Sequence, residues 1–396
     1  MAHITSDNPE ASKTLQELQE LVIENGGHIH PDINFVVNNN SLSIESPLNA
    51  SNQDHLLYIP DACLPCYDDF DITLKNNEIA ISPKNQSIPQ SQQQAFNLLI
   101  TLFNLTKKLD EHRENFPGLL QPLPEEIIEL LGKKDPSAKT QLSPPGKTAE
   151  QHLLDSFFHT RYLSSVRQNG ERKRVLLPMI DFINHNANAL PFTTARADSG
   201  NFMGIIVCHW KDSDSSRECF VDYYPLDPMA RFLGYGFVDT SANYIQSIPL
   251  SIVIESVGCL HINNKLPKPE EQNKLPTFEA FSKIDNYQPY VQIDQSGNLT
   301  LSHLAIPIKD DETKHLNPAI KHAIQMMSGK KLKGKKLERL AQKAQKTLIR
   351  ENIKYSQNAY KYLENRDNSD LTESALSTLQ QLFQFEHQQL SKYLKS

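Results

Sequence analysis

The sequence predicts a chain in two parts, a mixed α+β front and an all-helical back. Three patterns carry that prediction. Short β-like runs parted by Asn, Ser and Pro fill the region from Asn34 to Pro60: Phe35-Val36-Val37, Leu42-Ser43-Ile44 and Leu56-Leu57-Tyr58-Ile59. Beyond about Pro249 a loop-rich, proline-bearing stretch runs to about Pro318. After it, apolar residues recur at helical spacing, at Leu337, Leu340, Ala344 and Leu348 and again at Ala375, Leu379, Leu382 and Leu390. At 396 residues the chain exceeds one compact core and suits two domains.

The remaining elements follow in order. Leu15, Leu18 and Val22 give a helix over residues 12–25, with Thr14 and Glu17 as a capping box and Gly26-Gly27 as its stop. Ile72-Thr73-Leu74 and Ile79-Ala80-Ile81 form another strand pair. Residues 91–114 read as a helix with Phe96, Leu99, Leu102 and Phe103 on one face. Residues 125–150, rich in Lys, Pro and Ser, read as a loop or insertion, and helical spacing returns over about 148–168. Val175-Leu176-Leu177-Pro178 and Phe182-Ile183 look like buried extended segments, and residues 202–210 and 218–223 are the last strong strand candidates. Asp370 and Glu373 suit the start of the last helix.

Composition bounds the function. The net charge of -7 argues against a dedicated nucleic-acid binder, which is usually basic overall. The basic residues are uneven: the segment from Lys330 to Arg350 holds nine Lys/Arg and one Glu. That is a solvated helix face or a docking surface for an acidic partner or membrane headgroups. The five cysteines are Cys63, Cys66, Cys208, Cys219 and Cys259, too few and too scattered for a disulfide framework. Cys63 and Cys66 form a lone C-x-x-C without a second pair for zinc, and a reduced structural pair is expected. No apolar run approaches a transmembrane span, and the N-terminus has no signal-peptide core. A soluble, intracellular protein is expected.

The chemistry concentrates in Val175-Leu-Leu-Pro-Met-Ile-Asp181-Phe-Ile-Asn184-His185-Asn186, an apolar extended run ending in Asp-x-x-Asn-His. Polar side chains where the pattern predicts burial need partners from the protein or from a ligand. Further on come Glu218-Cys-Phe-Val-Asp222-Tyr223-Tyr224-Pro225, a short helix-like piece, and Leu233-Gly-Tyr235-Gly-Phe237-Val238. Two tyrosine positions twelve apart, the second in Tyr-Gly-Phe, thus follow an Asn-His.

That combination closely resembles the SET-domain methyltransferases, in the class typified by the Rubisco large-subunit methyltransferase, which also includes an actin-histidine methyltransferase. Leu153-Leu-Asp-Ser156-Phe-Phe-His-Thr160-Arg161-Tyr-Leu163 is similar to the class pattern Trp-x-x-Ser-x-Val-x-Ser/Thr-Arg-x-Phe. Asn40-Ser41-Leu42-Ser43 precedes Leu57-Tyr58-Ile59-Pro60 at the spacing of the class's Glu-Gly-x-Gly and Ile/Val-Pro. The resemblance spans nearly the whole chain, with its specific motifs in 40–60, 153–163, 175–186 and 218–238. It implies a SET-domain β-fold over residues 1–250 with a helical insertion at about 85–150. An all-α C-terminal domain for substrate or partner binding would follow over 251–396. The cysteines that bind zinc in histone-type SET enzymes are absent, as in this class.

The resemblance further implies S-adenosyl-L-methionine as cofactor and a protein substrate, modified on lysine. Tyr223 would be the catalytic tyrosine, favoured over Tyr224 by its spacing to Tyr235. Asn184 and His185 would bind the cofactor through backbone and the Asn side chain. Leu42 would offer backbone contacts to it, Arg161 would pair with a carboxylate, and Asp181 would hold the Asn-His turn. Tyr235 would line the cofactor site, with Leu163, Tyr224 and Phe237 in the substrate channel. Leu163 is apolar where the target pocket lies, which suits an alkylamine. No metal and no nucleic acid are required. Two departures stand out: Ser41 and Ser43 replace glycines that let backbone approach the cofactor, and Asn40 replaces an acidic residue. They motivate the alternative, a catalytically inactive SET-fold scaffold acting through its helical C-terminal domain. Abundant Asn, Gln and Lys with only 14 Gly suggest an AT-rich genome, and a bacterial effector secreted into a host cell is compatible with it.

Overall fold

The computed structural model describes residues 1–46, 51, 54–115, 123–142, 146, 148–166, 172–198, 200–210, 217–223, 226–264, 289–310 and 312–394. By contact the chain forms two compact units. One joins Met1–Asn115 to Gly146–Pro225, and the other joins Phe116–Pro145 to Leu226–Ser396. The division at residue 250 drawn from the sequence differs from this one over 116–145 and 226–250.

In the first unit, the helix Pro9–Glu24 buries Ala11, Leu15, Leu18 and Val22 on one face. Its cap is Asn8, whose side chain accepts from the Glu10 and Ala11 amides. Thr14, expected in a capping box, instead lies within the helix and donates to the Glu10 carbonyl at 2.9 Å. Asn8-Pro9 wins because it offers a side-chain acceptor and a pre-set φ more than one turn earlier. The strand His3–Ser6 pairs in parallel with Asn34–Asn38, which turns back antiparallel as Ser41–Glu45. The two-residue turn is Asn39-Asn40, at φ 49° and 65°; asparagine tolerates the left-handed region that a tight hairpin demands.

A second sheet runs in the order Thr193–Arg196, Phe202–Cys208, His55–Pro60, His28–Ile29. At its centre a Cβ on Gly204 would come 2.3 Å from the Ile59 carbonyl oxygen, so only glycine fits. Phe70–Lys75 and Glu78–Pro83 form a hairpin, and Tyr162–Val166 pairs antiparallel with Arg172–Leu176. The helix expected over 91–114 is broken into Gln90–Leu105 and Lys108–Asn115 at Lys107, which stands at φ 50°. The helix expected over 148–168 stops at His159, after a Thr148/Gln151 capping box. Tyr162–Val166 turns to strand because it has Arg172–Leu176 to pair with, and pairing overrides helical spacing.

An aromatic core fills this unit. Phe103 and Phe157 meet edge to face at 5.2 Å, Phe70 and Phe96 at 4.8 Å, and Phe157 and Phe158 at 5.2 Å. Within it lies His112, fully buried, with Nε2 2.9 Å from Ser156 Oγ. Burial first, then the nearby Arg161 and His152, push its pKa from 6.5 down to about 2. The neutral ring is therefore part of the fold. In the unfolded chain the ring takes up a proton below pH 6.5, and the folded state then loses about 1.4 kcal/mol per further pH unit. His112→Gln should be less stable than the parent at pH 8, and the difference should close or reverse by pH 5. Thermal melts across that range check this, and parallel pH profiles would refute it.

The second unit corrects two expectations. Of the two readings of 125–150, loop or insertion, the loop gives way: Glu125–Gly132 and Ala138–Leu142 are helices, with Ile127, Ile128, Leu131, Ala138 and Leu142 in the core. Helices this short are held by packing, not by their own propensity. Nor is the region beyond 250 all-α. Leu250–Ile254, Gly258–Asn263, Leu299–Ser302 and Tyr290–Ile293 form a four-stranded sheet in that order, and Tyr244–Gln246 pairs with Ala305–Pro307. Ile252, Ile254, Leu260, Ile262, Val291, Leu299 and Leu301 supply its buried side. The expected long helices follow as Leu316–Met327, Gly334–Asn365 and Glu373–Ser391. No described helix is long and apolar enough to cross a membrane.

A charged triad sits inside this apolar core. Lys134 Nζ lies 3.0 Å from Asp227 Oδ2 and also bonds Glu386, and all three side chains are 1–2% exposed. Asp227 in addition caps the helix Pro228–Tyr235, accepting from the Ala230 amide at 2.8 Å and from the Gln246 amide at 3.0 Å. Ser356 Oγ donates to Glu386 at 3.3 Å.

Candidate functional site

Three chain segments meet in the first unit through backbone bonds. The Cys219 amide donates to the Ile44 carbonyl at 2.8 Å and the Ser46 amide to the Arg217 carbonyl at 2.6 Å. The strand bearing Leu42 therefore borders residues 217–219. These lead into Phe220–Val221, which pairs in parallel with Asn184–His185. Leu42 itself is buried opposite Val37. Ser41 and Ser43 are ordinary strand residues: the left-handed backbone falls on Asn39 and Asn40. The conformational freedom of glycine is thus not needed at either serine.

Asp181 lies in the 3-10 turn Ile180–Phe182, packed against the strand Ser41–Glu45. The chain enters this turn through Met179, fully buried at φ 68° and ψ -44°. Such a conformation costs a residue with a Cβ on the order of 1–3 kcal/mol and persists only where the surroundings impose it.

Arg161 follows the helix Ala149–His159, and its guanidinium lies 3.9 Å from the centre of the Phe157 ring. Its Nη1 donates to the Phe157 carbonyl at 3.0 Å and to Thr160 Oγ1 at 2.7 Å. Its Nε is buried without a hydrogen bond, 3.5 Å from Asp181 Oδ2. Burial outweighs the attraction of Arg161 and Lys108 and pushes the Asp181 carboxyl up from 3.8 to about 6, with Glu111 adding to the rise. Here is a guanidinium with an unsatisfied donor beside a carboxylate that bears its charge reluctantly. One is a cationic donor and the other an anionic acceptor, the complements of the carboxylate and ammonium of an α-amino acid.

Asn184 is exposed, not buried as the apolar context predicts, and its Nδ2 donates to Glu218 Oε1. Glu218 belongs to the motif read from the sequence, yet no role was expected of it. The His185 ring is 3% exposed, and its Nδ1 accepts from the Tyr223 amide at 3.2 Å. The Tyr223 hydroxyl donates to the Ile183 carbonyl at 2.6 Å. A phenol whose proton is committed in this way presents its lone pairs as acceptors.

The remaining expected residues are distributed as follows. Leu163 is half-buried on the strand Tyr162–Val166, opposite Val175. Tyr224 lies outside the described residues. Tyr235 and Phe237 belong to the second unit, at the end of the helix Pro228–Tyr235 and just past its Gly236 cap at φ 80°. Their rings are 6.3 Å apart, and the fully buried Arg231 guanidinium lies 4.9 Å from one and 6.0 Å from the other. Arg231 was not singled out in the sequence, where it is one basic residue in an apolar helix. In the first unit, the Asn39–Ser41 turn lines a cleft of about 520 Å³ together with Thr106, Lys107, Asp110, Glu111, Arg113 and Glu114. Its wall includes Glu111, one of the charges that act on Asp181.

No protein-family model matches the chain, and no curated protein matches it. Among solved structures it is similar to the SET domain of LSMT bound to lysine and AdoHcy, at 14% identity and a TM-score of 0.38, covering 97% of this chain and 90% of that one. The same SET domain bound to methyllysine and AdoHcy gives 14% and 0.39 over the same shares. Rubisco LSMT bound to AdoMet gives 13% and 0.39, over 96% of this chain and 90% of that one.

Proposed function

We propose that the chain is an S-adenosylmethionine-dependent protein methyltransferase of the SET class, acting on a lysine side chain of a protein substrate. One observation carries the reading: a connected array in the first unit holds Leu42, Asp181, Asn184, His185 and Tyr223, with Arg161 paired to Asp181. These are the residues that the motif order assigns to one pocket.

When bound, S-adenosylmethionine supplies a methyl group on a positively charged sulfur. Arg161 would hold its carboxylate and Asp181 its ammonium, while Asn184, His185 and the Leu42 backbone would complete the contacts. Tyr223, its own proton given to Ile183, offers oxygen lone pairs to polarised C–H groups. The substrate amine has an ordinary pKa of about 10.4 and must arrive neutral, which a dry, aromatic channel favours. Leu163 keeps the channel role that the motif order gives it; in the second unit, the Arg231 guanidinium lies over the Tyr235 and Phe237 rings.

Calorimetric titration with S-adenosylmethionine tests the reading. Micromolar or tighter binding is expected at pH 7.5, weakening below about pH 6 as Asp181 takes a proton. Absence of binding would leave a scaffold. Asp181→Asn separates ligand binding from folding. Because the folded pKa lies above 3.8, carrying the charge costs the fold stability as pH rises toward about 6. The variant should therefore be up to about 3 kcal/mol more stable above pH 6, yet bind the donor less well. A variant that loses stability and retains full affinity would remove Asp181 from the site.

A further inference from the structure

The helix Gly334–Asn365 is 32 residues long and buries Leu337, Leu340, Ala341, Ala344, Leu348 and Ile349 toward the core. Its opposite side is charged. Lys335, Arg339, Lys343, Lys346, Arg350 and Lys354 are all exposed and recur at steps of four or three residues. At 100° per residue they fall within an arc of about 100°, a single ridge about 29 Å long. Among these six, Lys343 has a carboxylate within ion-pair distance, Glu255 at 2.6 Å. Arg339 also lies near enough to help hold the Glu255 carboxyl below its usual range.

We propose that this ridge is a docking strip for an acidic helical segment of a partner protein. The spacing argues for a helix: carboxylates repeating every fourth and third residue on a partner helix meet the ridge once per turn along its whole length. The Lys343–Glu255 pair already shows the ridge receiving a carboxylate. A bilayer is disfavoured because the helix's apolar residues are packed in the core, leaving the ridge nothing to insert. Duplex DNA and membranes also carry their charge well beyond the roughly 8 Å over which the ridge acts in physiological salt. A slender acidic helix keeps its charge on the ridge. This inference stands apart from the methyltransferase reading and survives its failure.

The test uses the full chain and fluorescence anisotropy at physiological ionic strength. The probe is a labelled helical peptide with glutamates repeating every fourth and third residue. Its isomer has the same composition with glutamates spread around the helix. A random-sequence DNA duplex and vesicles of equal parts phosphatidylcholine and phosphatidylserine complete the set. The striped peptide should bind about tenfold or more tighter than its isomer, the duplex or the vesicles. Arg339→Glu/Lys346→Glu/Arg350→Glu should abolish that preference with the far-UV circular dichroism unchanged. Should that variant misfold, Lys335→Gln/Lys346→Gln/Lys354→Gln should weaken striped-peptide binding by about tenfold. Equal binding of the isomer would make the ridge a nonspecific polycation face. Tightest binding by duplex or vesicles would reassign the partner class. Affinity that withstands the charge change would move the site elsewhere.

Discussion

Replacing Lys134 with Met is expected to destabilise the second unit by roughly 3–5 kcal/mol, the range for breaking a buried ion pair by removing one partner. The triad explains why. Burial works against the Lys134 ammonium, but Asp227 and Glu386 outweigh it and hold the proton more tightly than on an ordinary lysine. Burial raises the Glu386 carboxyl above its usual range, offset only in part by Lys134. Without the ammonium, two carboxylates at 1–2% exposure face each other with no cation between them. Against a total stability of about 5–15 kcal/mol, the loss is large. Neutralising all three groups together, as Lys134→Met/Asp227→Asn/Glu386→Gln, should recover most of it. No charge remains stranded and Asn still accepts from the Ala230 amide, but its nitrogen cannot accept from the Gln246 amide, which keeps the recovery incomplete. Denaturant midpoints measure both changes. A loss of less than about 1 kcal/mol in the single variant would mean that water reaches the triad.

Tyr223→Phe is expected to lower methyl transfer by more than about tenfold while leaving donor affinity nearly unchanged, if the hydroxyl acts only in the transition state. The variant keeps the ring that lies 5.3 Å from His185 and the amide that binds its Nδ1, so the local fold should survive. What it loses is the oxygen oriented by the 2.6 Å bond to the Ile183 carbonyl. The freed carbonyl belongs to the buried Ile183, and leaving it unpaired costs the variant on the order of 1–3 kcal/mol of stability, which a thermal melt measures separately from turnover. Single-turnover assays with labelled donor separate the two constants. If Tyr223→Phe is fully active and Tyr224→Phe is not, the catalytic hydroxyl belongs to Tyr224. If neither substitution matters, phenol-assisted transfer is wrong.

What the sequence revealed followed the range of the interaction. Leu337, Leu340, Ala344 and Leu348 announce their helix because the 3.6-residue repeat is written locally. The hairpin at Asn39-Asn40 is equally local, flanked as it is by short alternating runs. Ile252/Ile254, Leu260/Ile262 and Leu299/Leu301 alternate as well. Yet Gly258–Asn263 and Leu299–Ser302 pair in parallel across some 40 residues, and the prolines nearby pointed to loop. Glu125–Gly132 hid for a related reason: three buried apolar residues are too few to mark a helix that only packing stabilises. In the site, Asp181, Asn184, His185 and Tyr223 could be read as a motif. That the Asn184 amide binds Glu218, or that Arg161 rests on Phe157, depends on register and stacking that no spacing encodes. The Asn184 exposure was misjudged because apolar neighbours at Phe182 and Ile183 suggested a buried strand, whereas the backbone leaves a turn there.

The order in which the chain is made bears on the Lys134 triad. Glu386 lies 252 residues downstream of Lys134. At translation rates of about 5–20 residues per second, the ammonium waits on the order of ten to fifty seconds for its second carboxylate to be synthesised. During that interval Ile127, Ile128 and Leu131 have no finished core to enter. Residues 146–225 meanwhile complete the first unit on either side of a segment that cannot yet settle. A nascent chain therefore carries these apolar side chains without their finished core until Glu373–Ser391 is made, and losing that helix would strand a segment in the first half of the sequence.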